Sequence, residues 1–300
     1  MATTRPSAAK SVPPARKSGA DAAKGASAGR AGTRYETIAV DLRESVALVV
    51  LSRPEVHNAF NARLIAELTR ALRGLDGDAS VRAVVLLGEG KSFCAGADLN
   101  WMKEMAGYGA AENLADASAL AAMLRTLDRM SKPTIARVHG SAFGGGAGLV
   151  ACCDIAFAAQ DATFAFSEAK LGLIPATIAP YVVAAIGARY ARRYFVSAER
   201  FSAAEAFRIG LVHDIYPLDE MDARINELLG SLLVAGPRAQ DESKALIRAV
   251  RSGPIDDTMI ADTAARIARI RGSDEGKEGV TAFLGKRSAA WVPQSLRRKA

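Results

Sequence analysis

The sequence has few of the residues that build covalent or metal-held frameworks. Three cysteines and three histidines occur among its 300 residues, and two of the cysteines, Cys152 and Cys153, are adjacent. Adjacent cysteines are poor disulfide partners, and no histidine stands at ligand spacing from a cysteine. Neither a disulfide framework nor a metal site is therefore expected. So low a cysteine content favours a reducing compartment, and we expect a cytoplasmic location.

Long apolar runs are also missing from the chain. No stretch approaches the roughly 18 uninterrupted apolar residues of a membrane span, so we expect a soluble protein without a membrane partner. Half of the residues are nevertheless hydrophobic. A chain of this length and composition can bury a full core.

The net charge of +7 lies mainly in the two ends of the chain. Residues 1–34 carry seven lysine and arginine residues against Asp21 alone, and residues 297–299 are all basic. The body between them is slightly acidic, and it lacks the interleaved aromatic and basic residues that bind single-stranded nucleic acid. A specific nucleic-acid partner is therefore not expected.

Composition and periodicity predict three regions. Residues 1–34 are rich in small residues and have almost no large apolar side chain, which is typical of disorder. We interpret them as a disordered basic tail rather than a transit peptide, since no amphipathic apolar stripe is present. Residues 35–230 alternate strand and helix patterns, which predicts a stacked α/β core. Residues 231–300 are helical in pattern, with breaks at Gly236–Pro237 and Gly253–Pro254.

Several elements of the core can be placed from the pattern alone. Asn61 stands where an N-cap is expected, because apolar residues at helical spacing follow it. Alternating and β-branched runs predict the strands. The predicted strands cover residues 37–42, 46–51, 81–87 and 133–138, and the predicted helices cover about 61–75 and 114–130.

Two segments of small residues, Phe93–Leu99 and Gly140–Leu149, follow predicted strands and precede plausible helices. Glycine permits positive φ and close backbone approach, and a helix N-terminus presents free N–H groups. Two such turns side by side could aim two backbone donors at one oxygen. An oxyanion hole for the enolate of a thioester needs this arrangement.

The second segment also contains a partial dinucleotide-binding fingerprint. Gly146, Gly148 and Ala151 have the required spacing, and Glu168 follows at about the distance of a ribose-binding acid. Residues 140–144 intervene between the strand and the first fingerprint glycine, however, and the first segment has no role in that scheme. A third interpretation is that the glycines serve turns and helix packing alone.

Taken in order, the motifs resemble the successive signatures of the crotonase (enoyl-CoA hydratase/isomerase) superfamily. The resemblance runs from about residue 35 to residue 291. It rests on the segments Arg53–Phe60, Phe93–Leu99, Gly140–Gly148, Cys153–Ile155, Phe166–Pro175, Ser273–Gly279 and Phe283–Arg287.

The resemblance implies a fold, a substrate and a site. The fold is an α/β superhelix of repeated ββα units with a C-terminal helical region that trimerises, so a homotrimer or homohexamer is expected. The substrate is an acyl-CoA thioester, and no separate cofactor is implied. The implied oxyanion hole consists of the N–H groups of Ala97 and Gly145. The implied substrate-binding residues are Val56, His57, Asn58, Ala59, Ala95, Gly148, Pro175 and Lys286. Lys286 is implied to come from the same or a neighbouring subunit.

Hydratases of this superfamily use two glutamates around one water, and the chain retains one of them. Glu168 stands at the second position, whereas Gly148 occupies the first. A glutamate that faces an acyl pocket has its pKa raised by desolvation, which suits proton transfer. Glu168 could therefore serve in hydration of a 2-unsaturated acyl-CoA, or act as the single base of an isomerase. A CoA-binding relative without hydratase activity is a further alternative.

Three details resemble one subfamily in particular. The segments Leu99–Met102, Cys152–Asp154 and Ile174–Pro180 look like those of bacterial methylglutaconyl-CoA hydratases, which act in leucine breakdown. The reaction expected on this ground is the addition of water to 3-methylglutaconyl-CoA. Such a substrate carries a second carboxylate that needs a cationic or N–H-rich partner. Asp98 and Asp154 are expected to brace turns rather than to react.

Overall fold

The computed structural model describes residues 35–251 and 253–297, so the predicted basic tail lies outside the described residues. Within these ranges the chain divides into two compact units. The larger unit comprises residues 35–130 and 134–222, and the smaller comprises residues 131–133 together with the chain from Ala223 onward. The division at Ala223 falls a little before the boundary expected at residue 230.

The larger unit contains two β-sheets. The first has the order β1-β2-β3-β4-β6-β9; β1 and β2 pair antiparallel, and the other neighbours are parallel. The second has the order β5-β7-β8, with β5 and β7 parallel and β8 antiparallel. The strands are β1 (Ile38–Arg43), β2 (Val46–Leu51), β3 (Ala83–Gly88), β4 (Thr134–Val138), β5 (Ser141–Phe143), β6 (Ile155–Ala159), β7 (Thr163–Ala165), β8 (Arg200–Ser202) and β9 (Asp214–Tyr216).

Helices of the larger unit follow the strands in a regular way. They are α1 (Ala62–Gly77), α2 (Leu99–Met105), α3 (Ala110–Asp128), α4 (Gly145–Cys152), α5 (Ala179–Ser197) and α6 (Ala203–Arg208). A strand of the first sheet, a short strand of the second and a helix recur as β4-β5-α4 and as β6-β7-α5. This pattern agrees with the expected ββα repeat. The central strands β2 to β4 are almost wholly buried, and β2 and β3 are also apolar, as in parallel sheets covered on both faces.

Local capping chemistry sets where the helices begin. The side chain of Asn61 accepts a hydrogen bond from the N–H of Leu64 at 2.9 Å, which confirms Asn61 as the N-cap of α1. α3 begins at Ala110, earlier than the helix predicted from residue 114. The reason is that the carboxylate of Glu112 accepts a hydrogen bond from the N–H of Gly109 at 2.8 Å and so closes an extra turn.

The smaller unit is helical, as the sequence predicts. Its helices are α7 (Leu218–Val234), which begins in the larger unit, α8 (Pro237–Val250), α9 (Asp257–Gly272) and α10 (Asp274–Leu284). Glu275 of α10 caps α8 by accepting the N–H groups of Arg238 and Ala239 at 3.0 and 2.8 Å. Ala282 of α10 forms a small buried cluster with Ala289 and Val292, which follow the helix. Among the described helices, none has both the length and the apolarity needed to cross a bilayer.

Candidate active site

The segment around Cys94, strand β5 and strand β7 run side by side, and each leads to one of the candidate catalytic groups. Strand β5 pairs in parallel with β7, with Phe143 opposite Ala165. Cys94 forms a parallel bridge with Ala142 of β5. Parallel segments bring their carboxyl ends to one edge, so the residues that follow them meet there. These residues are Ala97, Gly145 and Glu168.

The two glycine segments approach each other more closely than side chains would allow. Cys94 and β5 exchange backbone hydrogen bonds, from Cys94 N to Ser141 O and from Phe143 N to Cys94 O, both at 3.0 Å. A methyl group on Gly146 would overlap the carbonyl oxygen of Cys94. Gly96 has a φ of +95°, and a methyl group there would lie 3.2 Å from the carbonyl oxygen of Phe143. Packing therefore requires glycine at position 146, and backbone conformation favours glycine at position 96.

Two backbone N–H groups are left without an acceptor at this edge. Neither the N–H of Ala97 nor that of Gly145 donates a hydrogen bond to another described residue. Gly145 is the first residue of α4, and the first N–H groups of a helix have no acceptor within it. Phe60 holds Ala97 in place, because Phe60 N donates to Gly96 O at 2.6 Å and Asp98 N donates to Phe60 O at 2.8 Å. Free backbone N–H groups are the kind of donor that an oxyanion site requires.

The carboxyl group of Glu168 lies beside this pair. Glu168 begins a 3-10 turn (Glu168–Leu171) shortly after β7. A methyl group on Gly144 would lie 3.1 Å from Glu168 Oε1, and Gly144 has a φ of +48°. Glu168 Oε2 is buried and has no hydrogen-bond partner among the described residues. Burial raises the pKa of Glu168, and the hydrogen bond from its own backbone N–H only partly opposes this. A carboxyl with a raised pKa is suited to take up and return a proton.

A comparison with known proteins gives this geometry a context. The sequence model of the Enoyl-CoA hydratase/isomerase family matches residues 41–294 of the chain. The chain belongs to this family. It is therefore an enzyme of the enoyl-CoA hydratase/isomerase kind, and the family assignment that the motifs predicted is confirmed.

Individual relatives agree with the family assignment. The crotonyl-CoA hydratase of Syntrophomonas wolfei is 33% identical over 260 residues, which are 86% of this chain and 98% of the relative. The crystal structure of an enoyl-CoA hydratase from Shewanella pealeana is 44% identical and has a TM-score of 0.83, covering 85% of this chain and 96% of that one. AtuE of Pseudomonas aeruginosa is 37% identical with a TM-score of 0.82, over 86% of this chain and 100% of that one. The predicted crotonase-type α/β fold is confirmed.

The turn expected to hold CoA lies next to the first oxyanion segment. His57 and Asn58 both have positive φ, at 54° and 57°. The carbonyl of His57 accepts the N–H of Ala95 at 3.0 Å, which ties the turn to that segment. His57 is exposed, whereas Val56 and Ala95 are half-buried and Ala59 is buried. The turn thus presents both backbone and side-chain groups to solvent.

Asn58 has a structural part within this turn. It is fully buried, and its Oδ1 accepts the N–H of Arg53 at 2.8 Å. Its amide nitrogen donates to the carbonyl groups of Glu89 and Ser92, each at 2.8 Å. Because these bonds occupy the side chain, any contribution of Asn58 to CoA binding comes through the shape of the turn.

The remaining predicted substrate residues lie in different places. Pro175 is buried in the loop between the 3-10 turn and α5, and its carbonyl accepts the N–H of Ala179 at 3.0 Å. Gly148 is buried within α4, one turn after Gly144. Lys286 belongs to the smaller unit, where it follows α10, is exposed and has a φ of 53°.

Sequence reasoning missed the ion pair that braces the first segment. Arg53 Nη2 lies 2.8 Å from Asp98 Oδ2, and both side chains are largely buried. Asp98 Oδ1 also caps α2 by accepting the N–H of Asn100 at 2.7 Å, which confirms the expected bracing role. Burial raises the pKa of Asp98, but the bonds from Arg53 and from backbone N–H groups outweigh it and hold the pKa below its ordinary value. Arg53 and Asp98 each belong to a motif that the sequence analysis identified. Their pairing could not be predicted, because no local pattern connects residues so far apart in the sequence.

Proposed function

We propose that this enzyme adds water to a 2-unsaturated acyl-CoA, and that 3-methylglutaconyl-CoA of leucine breakdown is its substrate. The observation that carries the proposal is the unpartnered, buried oxygen of Glu168 beside the free amide of Gly145. A general base and an oxyanion site in one place suit addition to a double bond conjugated with a thioester.

The proposed reaction uses one carboxylate for both proton transfers. Glu168 accepts a proton from water while the water oxygen forms a bond to C3 of the enoyl group. The electrons of the double bond move to the thioester oxygen, where the N–H groups of Ala97 and Gly145 stabilise the resulting enolate. Protonated Glu168 then delivers its proton to C2. The sum of these steps is the addition of one water, and Glu168 returns to its starting state.

The substrate assignment is supported by sequence features rather than by geometry. The segments Leu99–Met102, Cys152–Asp154 and Ile174–Pro180 resemble bacterial methylglutaconyl-CoA hydratases. We expect the turn at residues 56–59 and Lys286 to hold CoA, with Ala95, Gly148 and Pro175 along the acyl group. None of the three cysteines forms a disulfide and all are buried, in keeping with the cytoplasmic location that we propose.

A second candidate reaction is isomerisation of a 3-enoyl-CoA to a 2-enoyl-CoA. The presence of Gly148 at the position of the first hydratase glutamate favours it, because one base suffices for this reaction. Glu168 would remove a proton from C2 to form the enolate and would return it to C4. Water takes no part in this sequence.

An assay with three substrates separates these reactions. Crotonyl-CoA tests short-chain hydration, 3-methylglutaconyl-CoA tests hydration of a branched dicarboxylic acyl group, and 3-hexenoyl-CoA tests isomerisation. We expect the highest kcat/KM with 3-methylglutaconyl-CoA. A clear preference for 3-hexenoyl-CoA would replace the proposal by isomerisation, and inactivity with all three would reject both.

The Glu168→Gln variant tests the catalytic assignment. We expect kcat to fall by about 10²–10⁴, since a general acid–base group contributes on this order. Glu44→Gln is a matched control, because Glu44 is exposed in the turn between β1 and β2. If the Glu168 variant kept the wild-type rate, another group would have to move the proton.

A further inference from the structure

Arg53 contacts both ends of the turn that is expected to hold CoA. Its N–H donates to Asn58 Oδ1 at 2.8 Å, and its carbonyl accepts the N–H groups of Val56 and Asn58 at 3.1 and 2.9 Å. Its guanidinium group reaches the far end of the turn, where Nη1 donates to the carbonyl of Ala59 at 2.6 Å. The shape of residues 56–59 therefore depends directly on Arg53.

The backbone conformation of the turn needs such support. His57 and Asn58 both lie in the left-handed region, with φ values of 54° and 57°. Residues other than glycine are strained there, and they stay there only where surrounding contacts hold them. The bonds from Arg53 supply part of this support. The position of the Arg53 side chain and the shape of the turn are therefore linked.

The other arm of the same guanidinium group holds the first oxyanion segment. Arg53 Nη2 lies 2.8 Å from Asp98 Oδ2, and both side chains are largely buried. Asp98 directly follows Ala97, whose N–H has no acceptor among the described residues. A charge-assisted contact to a planar guanidinium group fixes direction as well as distance. A displacement of Ala59 can thus pass through one rigid group to the residue next to Ala97.

We propose that Arg53 is a positioning residue that couples CoA in the turn at residues 56–59 to the N–H of Ala97, so that binding of CoA raises kcat as well as affinity. The inference rests on the proposed function, because it takes this turn as the site that holds CoA and Ala97 as an oxyanion donor. Binding energy gained far from the reacting atoms accelerates a reaction only when it is used to position groups for the transition state. The guanidinium group of Arg53 provides a direct link for this purpose, since it contacts both places.

A truncated substrate tests the coupling. 3-Methylglutaconyl-CoA is compared with the N-acetylcysteamine thioester of the same acid, which lacks the nucleotide and most of the pantetheine arm. We expect the wild-type kcat to be about 10²-fold higher with the CoA thioester, since a placement within about 1 Å can contribute that much. In Arg53→Lys this ratio should fall about tenfold, because one ammonium group cannot hold Ala59 and Asp98 in the same geometry. Arg43→Lys, at an exposed pair with Asp41, is the matched control and should leave the ratio unchanged.

The ratio of the two kcat values separates a positioning role from a merely structural one. A variant that is only less well folded would lose kcat with both thioesters alike, so an unchanged ratio in Arg53→Lys overturns the inference. Asp98→Asn breaks the same ion pair and retains a capping side chain. It should also lower the ratio, and it serves if the lysine variant does not fold. A wild-type ratio near one would reject the inference too, because CoA would then contribute to KM alone.

Amide hydrogen exchange separates failure of the inference from failure of the proposed function. Free coenzyme A cannot react, so this measurement does not depend on turnover. In the wild type, saturating coenzyme A should slow exchange at residues 53–60 and at residues 93–98, whereas in Arg53→Lys it should slow exchange at residues 53–60 alone. If the wild type hydrates none of the thioesters, the proposed function fails and these exchange rates decide the inference. Equal slowing at residues 93–98 in the two proteins, or none there in the wild type, rejects it.

Discussion

At the scale of single residues, the backbone at Gly144 packs against the carboxyl group of Glu168. The buried carboxyl of Glu168 has a raised pKa, which means that its charged form is unfavourable in the folded protein. Gly144 allows the carboxyl to lie against the backbone, because any Cβ at that position would approach Glu168 Oε1. Removal of the charge should therefore affect stability and activity in opposite directions.

We predict that Glu168→Gln is more stable than the wild type at neutral and alkaline pH. A pKa raised by folding means that the folded state binds the proton more tightly, so ionisation of Glu168 opposes folding above that pKa. This penalty is relieved as pH falls through the raised pKa, so the advantage of the variant should shrink in acid. Thermal unfolding of both proteins across pH measures the difference. The wild-type kcat/KM should fall over the same acidic range, as Glu168 becomes protonated, and a stability difference independent of pH would contradict this.

Gly144→Ala should impair catalysis more than it impairs folding. Its φ of +48° disfavours alanine, and the new methyl group would lie 3.1 Å from Glu168 Oε1. We expect a loss of about 1 kcal/mol in unfolding free energy and about a 10²-fold fall in kcat, since a displacement near 1 Å can cost that much. Gly187→Ala is the control, because Gly187 has a φ of +73° and no neighbour within 4 Å of the added carbon. The control should lose stability without losing kcat.

At the scale of elements, buried carboxylates join parts of the chain that are distant in sequence. Glu67 of α1 is 1% exposed and accepts hydrogen bonds from Thr37 N, Thr37 Oγ1 and Glu36 N, at 2.9, 2.7 and 3.0 Å. These bonds fasten α1 to the chain that leads into β1. Asp98 joins the first oxyanion segment to Arg53 in the same manner. Both carboxylates are stabilised in their charged form.

Glu67→Gln should destabilise the protein most at neutral pH. Burial raises the pKa of Glu67, but the hydrogen bonds from Thr37 and Glu36 outweigh it, so the net pKa is lowered. A lowered pKa contributes stability above the unfolded-state value, and this contribution is lost as pH falls through the folded-state value. We expect a loss of about 1–3 kcal/mol at neutral pH and a smaller loss in acid. Urea unfolding at both pH values measures it, with Glu44→Gln as an exposed control.

Asp98→Asn should weaken both the fold and the site. Asparagine still caps a helix, so α2 keeps its N-cap, but Arg53 loses the partner of its buried charge. We expect a loss of about 3 kcal/mol, together with a fall in kcat because Ala97 precedes Asp98 directly. Asp41→Asn breaks an exposed pair with Arg43 and should cost less than about 1 kcal/mol. Similar losses in the two variants would contradict a bracing role.

At the scale of the whole molecule, the surface of α10 bears on the expected trimer or hexamer. Within α10, the apolar side chains of Val280, Phe283 and Leu284 recur at helical spacing and are exposed, Phe283 to 81%. Exposed apolar faces of this kind mark surfaces that another chain covers. We propose that a second copy of this chain covers them.

Sedimentation velocity should give a mass of three or six chains for the wild type. Phe283→Asp should shift the protein toward smaller species, because a charge on an apolar interface is costly to desolvate. Glu227→Gln, a polar change at the surface of α7, should leave the mass unchanged. A wild-type protein that sediments as a single chain would refute the proposed assembly.

The sequence by itself determined the elements whose signals are local. Asn61 capped a helix because its side chain reaches the N–H three residues ahead. Strands β2 and β4 appeared close to their predicted positions because short runs rich in β-branched residues favour a buried strand. The order of motifs likewise indicated the family, and with it the part expected of Glu168.

Only the tertiary structure decided how distant residues meet. The parallel pairing of β5 with β7 brings Gly145 and Glu168 to one edge, and no local pattern states which strands will pair. Position 148 has no room for a side chain, because the side chain of Ile178, thirty positions away in the sequence, fills the space beside it. Such contacts depend on strand register and on the volume available between packed elements. These are properties of the folded chain, because they exist only when segments from different parts of the sequence share the same space.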